Sequence, residues 1–158
     1  MLTQRIIKGW LPGVNAVFRY HLPLLPVQYP DVKFATAKTF LPVREQILKD
    51  TGCKLKGVPH DSCMEYIHGR IGGAILIRTD QLPTNTNFDA FTHFYWHELG
   101  HFYAINADDN NLERFADPDS LPNEENTLYK QRGYWFWSEF IAEAISNYII
   151  LTFPKPVP

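Results

Sequence analysis

The segment His97-Glu98-Leu99-Gly100-His101 constrains the fold of this chain more than any other part of the sequence. It lies within a strongly aromatic stretch, from Phe88 to about Ile105, whose pattern predicts a helix. Side chains four residues apart lie on the same face of a helix, so both histidines can reach one zinc ion at about 2.0–2.1 Å. The fold must then bring a further ligand to this face from elsewhere in the chain.

Glu98 follows the first histidine directly and is displaced around the helix, so it cannot easily be a third ligand. Its carboxylate can instead contact a water molecule on the metal and take its proton as the water attacks a carbonyl. The alternative is a chance pattern in a helix without metal, which occurs in only about one in a few hundred chains of this length. The motif therefore predicts a zinc-dependent hydrolase with Glu98 as catalytic base.

A catalytic zinc site needs a third protein ligand and an open fourth position. No histidine follows His101, and Ala107 stands where an extended motif has its third histidine, so we expect a carboxylate ligand. The stretch from Tyr134 to Leu151 predicts a second long helix, in which Glu139 and Glu143 lie one turn apart on one face. Either can be the ligand, and the alternative is that both lie at a solvated edge.

These two helices resemble those of the gluzincin metallopeptidases, thermolysin-like enzymes among them, over residues 88–149. The second helix of that family typically carries Asn-Glu-Ala-x-Ser-Asp, whose Glu is the third zinc ligand, and this chain has Ala-Glu-Ala-Ile-Ser-Asn at 142–147. The resemblance implies that Glu143 is the ligand, with Glu139 as second choice. The family's Asp accepts a hydrogen bond from the other nitrogen of the first histidine, and the amide oxygen of Asn147 could do the same.

Two further residues are candidates near the site, and the resemblance implies a role for one of them. Thermolysin-like enzymes have a tyrosine nine residues before the third ligand that stabilises the developing oxyanion, and Tyr134 has this offset from Glu143. A core aromatic is the alternative for Tyr134. His93 lies one turn before His97 on the same face, and because the ligand set is complete without it, we expect a partly buried structural histidine.

A strand-like run at residues 74–78 precedes the metal helix, as the edge strand does in gluzincins. In that family an extended peptide substrate pairs with this edge by main-chain hydrogen bonds, so the resemblance implies the same role here. A strand buried inside the sheet is the alternative. The second helix is also similar to that of the anti-restriction and repressor-cleaving proteins of mobile elements, which carry a Glu-x-x-Ala-Glu run.

The chain has 158 residues, a length that favours one domain spanning residues 1–158. We expect an α+β, zincin-like fold in which a small twisted sheet packs on the metal helix and the second helix crosses it. Further expectations are an irregular, proline-rich arm at 1–29, a short helix after Pro42 that ends at Gly52, a strand at 65–68, and a long loop at 106–130.

The formal charge is −2, and no long basic run is present, so nucleic acid is not an expected partner. No apolar stretch is long enough to span a bilayer, and the N-terminus lacks a signal-peptide pattern, which favours a cytoplasmic protein whose two cysteines are reduced. The leading hypothesis is a zinc peptidase acting on a peptide or protein. The alternatives are a zinc-binding regulatory or anti-restriction-like module with a vestigial active site, and a helical protein without metal.

Overall fold

The computed structural model describes residues 2–22, 28–53, 62–69, 72–107 and 124–152, with the side chains in these ranges except those of 107 and 124–135. Within them the chain forms four helices and a three-stranded mixed sheet, which confirms the expected α+β class. In chain order the elements are α1 (Gln4–His21), β1 (Asp31–Ala35), α2 (Phe40–Thr51), β2 (Met64–Gly69), β3 (Gly72–Arg78), α3 (Phe88–Ala107) and α4 (Glu124–Thr152).

The strand order is β1-β3-β2, with β3 parallel to β1 and antiparallel to β2. The expectation that residues 74–78 form an edge of the sheet is therefore wrong. From Ala74 to Arg78 every residue of β3 is buried, and such an uninterrupted buried run is typical of a strand covered on both faces. The edge strand that contacts α3 is β2.

The two faces of the sheet are covered by different helices. Helix α2 covers one face and encloses a small apolar cluster with it, comprising Ala35, Phe40, Ile47, Ile67, Ala74 and Leu76. The other face packs against α1, α3 and α4 around a larger core, which includes Ile7, Val14, Phe18, Met64, Ile75, Ile77, Phe91, Tyr95, Leu99 and Ile149. The metal helix predicted from the sequence thus lies between the sheet and α4.

The N-terminal segment differs from its expected irregular conformation, because residues 4–21 form helix α1. Thr3 caps this helix by accepting a hydrogen bond from the amide of Ile6 at 3.4 Å. Its buried residues Ile7, Val14 and Phe18 have helical spacing, and burial of this apolar face stabilises the helix even though Pro12 lies within it. The prediction of an irregular arm at 1–29 is therefore wrong for residues 4–21, and residues 1 and 23–27 lie outside the described ones.

The end of α2 and the start of α3 agree with the sequence prediction, whereas the start of α4 does not. Helix α2 ends at Gly52, which has the left-handed conformation expected of a C-terminal cap, with φ of 68°. The side chain of Asn87 caps α3 by accepting from the amide of Ala90 at 2.9 Å. Helix α4 begins at Glu124 rather than at Tyr134.

The loop predicted at 106–130 is shortened by the helices at both of its ends, and its middle part, 108–123, lies outside the described residues. None of the helices in the described part of the chain combines the length and the apolar character needed to cross a bilayer.

Candidate metal centre

The site lies beside a close contact between α3 and α4. A Cβ atom added to Gly100 would lie 2.6 Å from the Cα of Ala142 and 3.0 Å from its carbonyl oxygen. Real Cβ contacts are not this short, so glycine at position 100 permits the observed distance between the two helices. Histidines on α3 and carboxylates on α4 face each other beside this contact.

Three side chains converge on one point at this interface. The Nε2 atoms of His97 and His101 are 3.2 Å apart. One carboxylate oxygen of Glu139 lies 3.3 Å from Nε2 of His97, and the other lies 3.6 Å from Nε2 of His101. Among the described residues, these three side chains form a group whose geometry could hold a metal ion.

Glu143 does not belong to this group, although the resemblance to gluzincins implies that it is the third ligand. Its carboxylate lies 3.3 Å from Nδ1 of His97, on the side of the imidazole that faces away from Glu139. The amide of Asn147 donates a hydrogen bond to the same carboxylate at 2.8 Å, and Nε2 of His93 is 3.9 Å from it. The geometry therefore favours Glu139 as ligand and gives Glu143 contact with the outer nitrogen of His97.

The second histidine has a corresponding partner on its outer nitrogen. Nδ1 of His101 lies 2.7 Å from the hydroxyl oxygen of Ser138, which is nearly buried. Ser138 immediately precedes Glu139 on α4. One short stretch of α4 thus supplies a carboxylate to the shared side of both rings and a polar contact to the outer nitrogen of each.

Glu98 contacts the sheet rather than the histidines or Glu139. Its carboxylate accepts a hydrogen bond from the backbone amide of Tyr66 in β2 at 2.7 Å. Burial raises the pKa of Glu98 to about 8, the bond from Tyr66 acts in the opposite direction, and the nearby carboxylates of Glu139 and Glu65 raise it further. A buried carboxyl group with a raised pKa beside a cluster of histidines is typical of an acid–base residue in an active site.

Two other pKa values are shifted at the centre. Burial, together with the neighbouring His97, lowers the pKa of His101 to about 4, so its imidazole is neutral at pH 7. Burial acts to raise the pKa of Glu143, but the bond from Asn147 and the imidazoles of His93 and His97 outweigh it and hold this pKa below its usual value. Glu143 is therefore ionised, and neutral imidazole is the form that binds metals.

The sequence prediction for Tyr134 remains open, since the residue lies within α4 and its side chain is outside the described ones. Sequence reasoning missed three contributions to the site. Those are the hydroxyl of Ser138, the backbone amide of Tyr66, and the close contact between Gly100 and Ala142. The position of Ser138, directly before a candidate ligand, was the available signal for the first.

Comparisons with protein families, with characterised proteins and with solved structures give no match for this chain. The interpretation of the site therefore depends on its own geometry and chemistry.

Proposed function

We propose that this protein is a zinc-dependent hydrolase that cleaves amide bonds in peptides. The observation that carries the proposal is the convergence of His97, His101 and Glu139 on one point, within reach of solvent. Their side chains retain 22%, 15% and 40% of their exposure, so an ion and a small part of a substrate can reach them.

The spacing of the donor atoms fits a zinc ion. Ligands placed at about 2.0–2.1 Å from a tetrahedral zinc are separated from one another by roughly 3.3 Å. The distance of 3.2 Å between the two Nε2 atoms and the distance of 3.3 Å from Nε2 of His97 to one oxygen of Glu139 agree with this edge length. The contact of 3.6 Å with Nε2 of His101 is made by the other oxygen of the same carboxylate. Two histidines and one carboxylate leave the fourth position open, as catalytic zinc sites require.

The partners of the outer nitrogens support the same assignment. If Nε2 of each ring presents its lone pair to a cation, Nδ1 carries the proton and donates to Glu143 in one ring and to Ser138 in the other. In the gluzincin pattern the orienting acid comes four residues after the ligand, and Glu139 and Glu143 have that spacing. If Glu139 is the ligand, Glu143 is the orienting acid and its negative charge is present. If Glu143 is aligned with the ligand instead, the neutral Asn147 stands in the position of the acid.

Glu98 is the general base in this proposal. A zinc ion at the site would polarise the substrate carbonyl and lower the pKa of a water molecule that it binds. A cation near Glu98 also favours its ionised form, which reverses the effect of burial on its pKa. The carboxylate then takes the proton of the attacking water and delivers it to the leaving amine, while the amide of Tyr66 holds it in place.

The position of β2 supports a peptide as the substrate. Strand β2 is an edge of the sheet, and the amide of Tyr66 points away from β3 towards Glu98. Its outer edge therefore runs beside the catalytic carboxylate, and an extended peptide could lie along this edge while the amide of Tyr66 stays bonded to Glu98. The role that the sequence assigns to residues 74–78 passes to β2 in this proposal.

The test combines zinc binding with hydrolysis of a peptide library at pH 7, with and without a chelator. We expect one zinc per chain and cleavage that the chelator abolishes. The Glu98→Gln variant keeps the hydrogen bond from Tyr66 and all three metal donors, so it should bind zinc normally while turnover falls by at least about a hundredfold. The exposed Glu45 on α2 offers a control, and Glu45→Gln should leave both properties unchanged.

Each outcome separates the hypotheses. Turnover that survives in Glu98→Gln contradicts the proposed base. Stoichiometric zinc without cleavage of any library peptide supports the regulatory module with a vestigial site. Failure of zinc to bind or to raise the melting temperature identifies a protein in which the motif is a chance pattern without metal.

A further inference from the structure

A cavity of about 360 Å³ lies at the end of the sheet where β3 begins. One end of the cavity lies close to the candidate metal centre, because two of the residues that line it contact or directly follow residues of that centre. Tyr66 binds Glu98 through its backbone amide, and Phe102 follows His101 on α3. None of the described metal-centre residues lines the cavity itself.

The side of the cavity nearest α3 is aromatic. Tyr66 and His68 point to this face of the sheet, since they alternate with Glu65 and Ile67, which face α2. The ring of Phe102 packs edge-on against Tyr66, with a centroid distance of 5.9 Å, and stacks on Tyr29 at 6.2 Å. This side offers apolar and π surface to a ligand.

The side nearest α2 carries the charges. The acidic and basic residues among the described lining are Asp31, Lys33 and Asp50. The ammonium group of Lys33 lies 3.3 Å from Asp31 and balances it. Asp50 accepts a hydrogen bond from the neutral amide of Gln46 at 2.6 Å, so it leaves a net negative charge on this side.

Gly72 and Gly73 lie between the two sides. The ring of Tyr66 occupies the space above Gly73, whereas a Cβ atom added to Gly72 would meet no atom within 4 Å. A group that enters along the aromatic side can therefore reach the carboxylates past Gly72. A long apolar stem with a cationic end matches this sequence of surfaces, because aromatic faces attract both methylene groups and cations.

We infer that this cavity is the specificity pocket of the proposed peptidase and accepts an arginine or lysine side chain of the substrate. The inference rests on the proposed function, since a peptide that lies along the outer edge of β2 can turn the side chains beside Tyr66 and His68 to their face of the sheet. The stem of the basic side chain packs against the exposed surfaces of Tyr66 and Phe102, and its charged end meets Asp50.

Binding and cleavage are tested separately. The binding arm titrates Nα-acetyl-arginine amide and its neutral isostere Nα-acetyl-citrulline amide into zinc-free Glu98→Gln protein, which cannot hydrolyse them, and follows the amide NMR signals of Gly72 and Gly73. We expect the arginine derivative to bind about fivefold more tightly, since the exposed Asp50 is a partly screened partner. The Asp50→Asn variant should abolish this preference. Asp89→Asn makes the same charge change outside the cavity and should retain it.

The cleavage arm compares peptides that carry arginine or citrulline near the scissile bond, using the zinc-loaded wild type and Asp50→Asn. The expected result is a preference of kcat/KM for arginine that Asp50→Asn removes. Equal binding of the two derivatives, or no binding of either, overturns the pocket, as does cleavage without a basic preference. An arginine preference in binding that depends on Asp50, in a protein that cleaves nothing, keeps the basic-ligand pocket and refutes the peptidase.

Discussion

Glu139 and Glu143 lie one turn apart on α4, yet they contact opposite nitrogens of the same imidazole, that of His97. Replacing each glutamate by glutamine should therefore have a different effect on zinc affinity. Glu139→Gln removes a charged donor and should lower zinc affinity by more than about a hundredfold. Glu143→Gln removes only the acid that orients His97 and should lower affinity by about 10- to 100-fold. Calorimetric zinc titration of both variants measures the difference.

Substitution by cobalt gives a second measurement for this pair. The visible absorption of Co²⁺ depends on the number and type of its ligands, so Glu143→Gln should retain the wild-type spectrum at saturating metal, whereas Glu139→Gln should change it. The reverse order of affinities, with an altered spectrum in Glu143→Gln, would restore Glu143 as the ligand and contradict the assignment made from the structure.

The histidines and Glu98 could be predicted from the sequence because their relation is local, fixed by the spacing of residues within one helix. The choice between Glu139 and Glu143 as the ligand could not be predicted from the sequence. Both glutamates share a face of α4, and which one meets the Nε2 atoms of the histidines depends on how far α4 is displaced along α3, a shift of one helical turn or about 5.4 Å. That displacement is set by the contact between Gly100 and Ala142, which no periodicity reveals.

At the scale of the helices, replacing Gly100 by alanine should destabilise the protein, although helix propensity alone favours alanine. Alanine in a helix interior is ordinarily about 1 kcal/mol more favourable than glycine. In Gly100→Ala, the new Cβ would meet the backbone of Ala142, so α4 must move away and carry Glu139 from the histidines. We expect a zinc affinity at least about tenfold lower and a net loss of stability, which calorimetry and denaturant unfolding measure.

Helix α1 provides the matched control for this substitution. Gly9 is also within a helix, but no atom lies within 4 Å of an added Cβ. Gly9→Ala should therefore follow propensity, stabilise the fold by about 0.5–1 kcal/mol and leave zinc affinity unchanged. If Gly100→Ala behaves like Gly9→Ala in both measurements, the close approach of α3 and α4 does not control the metal centre.

Element prediction succeeded where local signals agreed and failed where they conflicted. Helix α2 has both an apolar face and a terminal Gly52, and it was predicted. In α1 the apolar residues Ile7, Val14 and Phe18 have helical spacing, but Pro12 suggested an irregular segment. Tertiary burial decides such a conflict in favour of the helix. The central position of β3 was likewise undetermined, because strand order depends on pairing between distant segments.

At the scale of the whole molecule, the shifted pKa values link folding stability to pH in the zinc-free protein. The pKa of Glu98 rises from 4.5 to about 8 on folding, so the folded state holds the extra proton and stability falls as pH rises through this interval. The pKa of His101 falls from 6.5 to about 4, so its contribution increases stability with pH over that lower range. The two effects oppose each other up to about pH 6.5, and above it only the effect of Glu98 remains.

Denaturant unfolding in chelator should therefore show wild-type stability decreasing between pH 6.5 and 8, by up to about 2 kcal/mol at about 1.4 kcal/mol per pH unit. Glu98→Gln has no proton to lose and should be flat over the same interval. Saturating zinc should reverse the wild-type slope, because zinc binds deprotonated ligands, favours ionised Glu98 and stabilises only the folded state. Equal slopes for the wild type and Glu98→Gln in chelator would show that Glu98 is ionised in the zinc-free protein, and its burial would then have to be compensated by another group.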